Sequence, residues 1–372
     1  MSKAAELAKI GEVATNSQIG GRRNILYNGA MNIAQRGDAT SAGALGDAVE
    51  LGNIDRFKIE AGSTAGRFTM KQTAITDLPG FANCMELDCT TADTSIAAGE
   101  FIILAQYLEG QDVQQMKKGT SSAEVVTVSF YVKGNAAATH TLELRDNDNS
   151  RFNSQEFPVT TDWVRITRTF VGDTTGVFDD DNALSLKVNI WLHAGSTYTG
   201  GTHVSNAWGT TVNTRVGDNQ TSFVDATSRN LFITGYQVEV GSVATPFEHR
   251  SFGEELALCQ RYFTQWTQEA EGFTTNGFAA VGDAVVHADG FVFVQYTHPV
   301  DLRADPGITF NGSFVANIAS ADRAMSSLQV NVRTPHLTSF YAAIPDNNEA
   351  GKVGYMRASN DDDASIHFDS EL

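Results

Sequence analysis

Between His193 and Gln220 the chain reads HAGSTYTGGTHVSNAWGTTVNTRVGDNQ, which sets Tyr198, His203 and Trp208 among Gly, Thr, Ser and Asn. Sugars present apolar C–H faces and many hydroxyls, so an aromatic platform ringed by small polar donors and acceptors suits them. Tyr198, His203 and Trp208 are therefore the candidate carbohydrate-binding residues. The competing reading folds Trp208 inward, to cover the end of a β-sandwich. Trp163 and Trp191 fall on strand-like segments and read as core, and Trp266 reads as part of a helical packing stripe.

Other chemistry is hard to find. The histidines at 140, 193, 203, 249, 287, 298, 336 and 367 include no H-E-x-x-H or other zinc spacing. Asp179-Asp180-Asp181 and Asp361-Asp362-Asp363 lack the alternating ligands, central Gly and closing Glu of an EF-hand, so both read as solvated turns. They leave room for a calcium ion but do not indicate one, and no other cofactor or metal is expected. G-x-S-x-G, a P-loop and G-x-G-x-x-G are absent. A glycosidase needs two carboxylates facing each other across a cleft, and nothing singles out such a pair among 44 acidic residues. The expectation is a protein that is not an enzyme.

Charge narrows the partners. The net charge is −18, and basic residues are scattered, the densest groups being Arg22-Arg23 and Lys117-Lys118. Nucleic-acid affinity comes from clustered cations that release counterions, so nucleic acid is excluded as a partner. The three cysteines, Cys84, Cys89 and Cys259, make no disulfide framework and read as free core thiols kept in a reducing cytosol. Cys84 and Cys89, an odd number of positions apart on one strand, should face opposite sides. Met1–Ile10 lacks the apolar core of a signal peptide and no long apolar run follows, so membrane insertion is not expected.

The elements that must position the loop are strands. Few prolines, 33 glycines and abundant Thr, Asn, Asp and Val are the balance of many short strands joined by turns. Strands are expected over Arg67–Ile75, Phe81–Thr90, Glu100–Leu108, Val125–Lys133, His140–Arg145, Trp163–Val171, Leu184–Leu192 and Leu231–Val240, with another opening at Asn24. Ser251-Phe-Gly-Glu254 has the form of a capping box, and Leu256, Cys259, Phe263 and Trp266 fall on one helical stripe after it. Further strands are expected at Phe291–Tyr296, Leu328–Arg333, Val353–Met356 and Ile366–Phe368. The fold class is all-β: a jelly-roll β-sandwich, a short linking helix and a second, smaller β-sandwich. Residues 1–23 would form a helix and linker for attachment or assembly, 24–250 the jelly roll, 251–267 the helix and 268–372 the distal domain.

Two resemblances accompany this reading. Asn24-Ile-Leu-Tyr-Asn28-Gly29 and Thr161-Asp162-Trp163 stand where carbohydrate-binding jelly-roll modules carry an N-x-[IL]-x-N-G opening strand and a Trp after a turn. More extensively, GYQVEVGSVATPFEHR and FGEELALCQRYF resemble a segment of tailed-phage fibre proteins, a V-E-x-G-x-x-A-T-P-F-E strand followed by an E-L-x-x-C-Q-R-Y helix. Pro299-Val-Asp-Leu-Arg303-Ala-Asp-Pro306 and Phe368-Asp-Ser-Glu-Leu372 match later parts of that family. The resemblance implies a structural, receptor-binding virion protein that contacts host-surface glycan. It further implies a homotrimer, with residues 1–23 joined to other tail proteins. A purely architectural virion protein and a polysaccharide depolymerase are the alternatives.

Overall fold

The computed structural model describes residues 22–36, 45–46, 49–268, 280–287, 290–345, 350–359 and 364–372. The expected attachment helix and the Asp361–Asp363 run lie outside the described residues. The chain divides into two compact units, the first running to Glu255 and taking in Leu372, the second Leu256–Glu371.

The first unit contains strands β1 (Val49–Leu51), β2 (Phe57–Gly62), β3 (Arg67–Ala74), β4 (Asn83–Thr91), β5 (Phe101–Glu109), β6 (Val126–Gly134), β7 (Ala138–Asp146), β8 (Arg151–Val159), β9 (Val164–Phe170), β10 (Leu184–Ala194) and β11 (Asn230–Val240). Helical turns α1 (Gly110–Val113) and α2 (Ser196–Thr199) interrupt them. A six-stranded sheet, β1-β2-β5-β10-β7-β8, faces a five-stranded one, β3-β4-β11-β6-β9, as a jelly-roll sandwich should. The core follows from alternation: Val126, Val128, Phe130 and Val132 on β6 point inward, as do Leu186, Val188 and Ile190 on β10. Rings bridge the layers, with Phe130 5.1 Å from Phe157 and 5.0 Å from Tyr236.

Most expected strands appear within a few residues of their anticipated ends. Some expectations need correction. β8 is not among the expected strands; it is an edge strand, where the missing N–H of Pro158 is tolerated. The stretch opening at Asn24 is not a strand, although it lies along β11 with Ile25 N donating to Val238 O at 2.9 Å. The thiols behave as expected. All three are buried thiols outside any disulfide, and β3–β4 register places Cys84 opposite Thr73 and Cys89 opposite Phe68, on opposite faces. Burial pushes Cys84 up to about 12 and Cys89 to about 11, so neither is a ready nucleophile.

The alternation of Tyr236, Val238 and Val240 with Gln237 and Glu239 predicts one buried face for β11, but both are buried. A bulge between Thr234 and Gln237, with Gly235 at φ 64°, keeps Ile233, Tyr236 and Val238 on the inner side. On the outer side Glu239 accepts from Thr245 N (2.9 Å), Thr245 Oγ1 (2.7 Å) and Gln237 Nε2 (2.8 Å). Glu248 accepts from the N–H groups of Arg23 (3.0 Å) and Asn24 (2.8 Å), and Glu255 from that of Asn28 (2.6 Å). Asn24 bonds to β11 on both sides, its Nδ2 donating to Tyr236 O (3.0 Å) and its Oδ1 accepting from Val238 N (3.0 Å). Gly29 is required there, because a Cβ would lie 2.1 Å from Tyr236 O.

Helix α3 (Phe252–Gln260) is shorter than expected. Ser251 Oγ accepts from Glu254 N at 3.3 Å, which forms one half of the capping box. Phe263 and Trp266 are not on the helix; they belong to strand β12 (Phe263–Thr267), which pairs with β21 (Ser365–Asp369). The helix stops early because that strand pairing satisfies the following backbone instead. The remaining strands of the second unit are β13 (Ala280–Val286), β14 (Phe291–Thr297), β15 (Gly307–Asn311), β16 (Phe314–Ile318), β17 (Ala321–Ala324), β18 (Ser326–Arg333), β19 (Leu337–Ala343) and β20 (Val353–Ala358). A three-stranded sheet, β12-β21-β15, and a seven-stranded sheet, β17-β16-β20-β13-β14-β19-β18, enclose Trp266, Val294, Phe340, Met356 and Phe368.

Two outcomes follow. Glu239→Ala strands the N–H and hydroxyl of Thr245 and should lower unfolding free energy by about 2 kcal/mol, measured by denaturant titration. An unchanged midpoint would mean that the turn after β11 does not hold the strap. The second concerns acid. Burial, and then the charge of Arg229, pushes His140 down to about 4, and burial does the same to His298. Unfolded histidine titrates near 6.5, so the unfolded chain takes up protons first and stability is lost as pH falls from about 6.5 towards 4. Each histidine should withdraw on the order of 2 kcal/mol between pH 7 and pH 5. Melts of wild type and His140→Gln at both pH values should show a smaller acid loss in the variant.

Candidate functional site

The three loop residues stand in three separate environments. Tyr198, on α2, packs 5.1 Å from Trp191 and 5.5 Å from Phe101, with the Arg215 guanidinium 5.9 Å from its ring. His203 Nε2 meets Ser154 Oγ of β8 at 3.1 Å. Trp208 donates Nε1–H to Val171 O at 2.7 Å, lies 5.4 Å from Lys118 Nζ, and closes a void of about 20 Å³ lined also by Met116, Phe170 and Phe178. Its neighbour Gly209 exchanges two backbone bonds with Phe152, which extends the edge beyond β8. All three side chains are half-buried. They share no common platform.

Beneath that loop is a charged and aromatic face. The outward side of the six-stranded sheet carries Glu60, Tyr107, Glu143, Lys187, Asn189 and Trp191, a set of residue types that suits polar ligands. It is closed. Arg215 covers it, giving Glu143 two bonds of 2.8 Å and lying 4.7 Å over Trp191. Glu143 also accepts from Asn189 Nδ2 (2.8 Å) and Trp191 Nε1 (3.2 Å). Arg215 is the main reason the buried Glu143 stays below the usual carboxylate range. Trp191 is core in burial, as expected, yet it lies outside the sandwich and under this lid. Trp163, expected in the core, is half-exposed with Lys133 Nζ 5.0 Å from its ring.

Ser222, His193 and Glu100 also come together, with His193 Nδ1 2.7 Å from Ser222 Oγ and Nε2 3.4 Å from Glu100. The order is that of a hydrolytic triad. The hydroxyl, however, accepts from Val224 N and the group is buried, so no substrate reaches it as it stands.

The open surface lies on the second unit. Register along β13, β14, β19 and β18 brings Asp283, Val285, Phe293, Gln295, Ser339, Tyr341 and Gln329 onto the outer face of the seven-stranded sheet. Phe293 and Tyr341 stack at 5.8 Å and 22° between planes. Tyr341 OH donates to Gln329 Oε1, and Asn331 Nδ2 donates to Ser339 Oγ at 3.1 Å. Next to the rings is a shallow concavity of about 460 Å³, lined by Asp283, Val285, Phe293, Gln295, Thr297 and Ser339. Half-exposed rings amid amides and hydroxyls are the pattern sought in the 193–220 loop. Sequence reasoning missed it because the pairing of β14 with β19 is not visible in either strand alone.

No family model matches the chain, and no curated protein matches it. Similar solved structures include the enzymatically active domain of bacteriophage CBA120 tailspike protein 4, at 12% identity over 59% of this chain and a TM-score of 0.30. The match spans 21% of that tailspike chain, about a fifth of its length. Another is TmCBM61 in complex with β-1,4-galactotriose, at 11% identity, 59% of this chain, 100% of that one and TM-score 0.29. A third is the family 11 carbohydrate-binding module of a Clostridium thermocellum cellulosomal cellulase, at 12%, 57%, 99% and 0.27. At such scores, fold and function rest on this chain's own residues.

Trp208→Ala should lower the melt. The loss of a half-buried indole and its bond to Val171 should cost about 2 kcal/mol, below the 3–5 kcal/mol of a fully buried Trp. A melt unchanged by calorimetry would mean that the ring contributes nothing to the sandwich edge.

Proposed function

We propose that this chain is a non-catalytic attachment protein of a tailed-phage virion, which holds host-surface saccharide on the open sheet of its second unit. The observation that carries the saccharide reading is the stacked Phe293–Tyr341 pair, half-exposed and flanked by Gln295, Gln329, Asn331 and Ser339. A sugar ring can lie on such rings while its hydroxyls bond to the amides and hydroxyls around them. Weak binding at each site suffices when several copies act together, since multivalency raises effective affinity by about 10²–10⁴. The virion reading rests on the motif resemblance described above. Tyr198, His203 and Trp208 remain a second candidate, which would require the 193–220 loop to bind at its rim.

One observation favours a different use of the same sheet. Val285, Phe291, Val332 and Val353 are exposed on it. Several such side chains on one flat face suit a contact between copies of a homotrimer, which would make the protein architectural.

Tyr341→Ala and Phe293→Ala distinguish the readings. For saccharide binding, affinity per site should fall about tenfold, the worth of a stacking contact near 1.4 kcal/mol, with mass in solution and melt unchanged. Glycan-array binding and host-cell adsorption measure this. A drop from trimer to monomer in native mass measurement would assign the sheet to assembly. Release of reducing ends from host polysaccharide would replace the reading by a depolymerase.

A further inference from the structure

We propose that Asp93, Glu100 and His193 form a divalent metal site, of zinc-like preference, that ties the two sheets of the first unit together at one end. The three donors lie within 4.8 Å of one another and all are buried. They come from different parts of the sandwich. Asp93 follows β4 of the five-stranded sheet, Glu100 immediately precedes β5 of the six-stranded sheet, and His193 is near the end of β10. A register shift between Trp191 and His193 pairs Trp191 with Ile103 but His193 with Ile102. The bulge thereby turns the imidazole away from Trp191's face and into the sandwich.

Three features favour a cation over a purely hydrogen-bonded cluster. The first is charge. Among the described residues neither Asp93 nor Glu100 pairs with a Lys or Arg, and Glu100 lies 3.4 Å from His193. Two buried carboxylates without a cation are costly. The second is distance. Ligand bonds of about 2.0–2.1 Å in a tetrahedral zinc site place neighbouring donors about 3.3–3.4 Å apart, and Nε2 to Oε2 is 3.4 Å. The third is support around the donors. Ser222 Oγ holds His193 Nδ1 at 2.7 Å, as the second partner of a metal-binding imidazole does, which leaves Nε2 to face the carboxylates. Thr64 Oγ1 and Ala65 N (both 2.8 Å) and Ser95 N (3.1 Å) fix the Asp93 carboxylate, and Ala97 N (2.8 Å) fixes Glu100. An imidazole among the donors selects zinc or a related ion over calcium. No histidine spacing could disclose the site, because its ligands are scattered along the chain and meet only in the fold.

The test uses the full chain, stripped with EDTA and dialysed. Zinc should bind at one equivalent through this site, by elemental analysis, and raise the first unit's melt by about 5–10 °C at a hundredfold excess over its Kd. Calcium should raise it far less. Glu100→Gln and His193→Gln, similar in volume, should lose the zinc response. Ser222→Ala should keep the stoichiometry but weaken affinity about 10–100-fold, since it only orients the ring. If His193→Gln does not fold, Glu100→Gln and Ser222→Ala carry the test. No zinc response in folded wild type, an unchanged response in Glu100→Gln or His193→Gln, or an equal response to calcium would each overturn the proposal.

Discussion

The first unit depends on carboxylates that accept the backbone N–H groups of an incoming strap. Residues 23–28 lie along β11 without forming a regular strand, with Ile25 N donating to Val238 O and Asn24 bonding to Tyr236 O and Val238 N through its side chain. Their other N–H groups would be left without partners, at about 1–3 kcal/mol each. Glu248 and Glu255 take those of Arg23, Asn24 and Asn28, while Glu239 holds Thr245 so that Glu248 is in place. Arg250 completes the clamp: it donates to the carbonyl oxygens of Asn24 and Leu26, and its Nη1 lies 3.2 Å from Glu255. Buried charge is tolerable here because each oxygen has a donor.

That arrangement gives a physical meaning to the phage-fibre-like segment. Its Glu239, Thr245, Pro246 and Glu248 are the clamp, with Pro246 O accepting from Arg23 Nη2 at 2.8 Å. The later motifs serve the second unit in the same way. Arg303 donates through Nε to Ser370 O (2.8 Å), and its N–H goes to Arg261 O (2.7 Å), so one residue joins the end of the C-Q-R-Y segment to the F-D-S-E-L segment. Phe368 stacks on Tyr296 at 4.8 Å. Glu239, Thr245, Glu248, Arg303 and Phe368, which carry part of the resemblance, thus build frames. A resemblance of that kind speaks to how such a chain is constructed and leaves open what it holds.

The extent to which the sequence could be read follows from the range of the interactions. Strands such as β6 and β10 were legible because alternation is local, and their inward rows follow directly from it. The helix boundary was not, because Phe263 and Trp266 satisfy helical spacing and strand alternation equally in so short a stretch; pairing with β21, about a hundred residues later, decides the matter. Glu239 read as a solvated strand residue for the same reason: its donors come from a turn that folds back over it. For Trp208, the polar composition of its loop fits a sugar platform, but Val171 and Lys118, distant in sequence, determine where the ring lies.

Site chemistry was the least legible, and the two units illustrate opposite cases. In the first, the aromatic and charged residues are consumed by one another: Arg215 bonds to Glu143 and roofs Trp191, so the face that looks most like a binding cleft in composition is covered at its centre. In the second, the outward residues of β14 and β19 are ordinary strand residues whose pairing places two half-exposed rings side by side. A ligand surface needs unsatisfied capacity, and capacity is a property of what the fold leaves uncovered, not of residue type. Composition therefore pointed to the loop of the first unit, whereas exposure points to the sheet of the second.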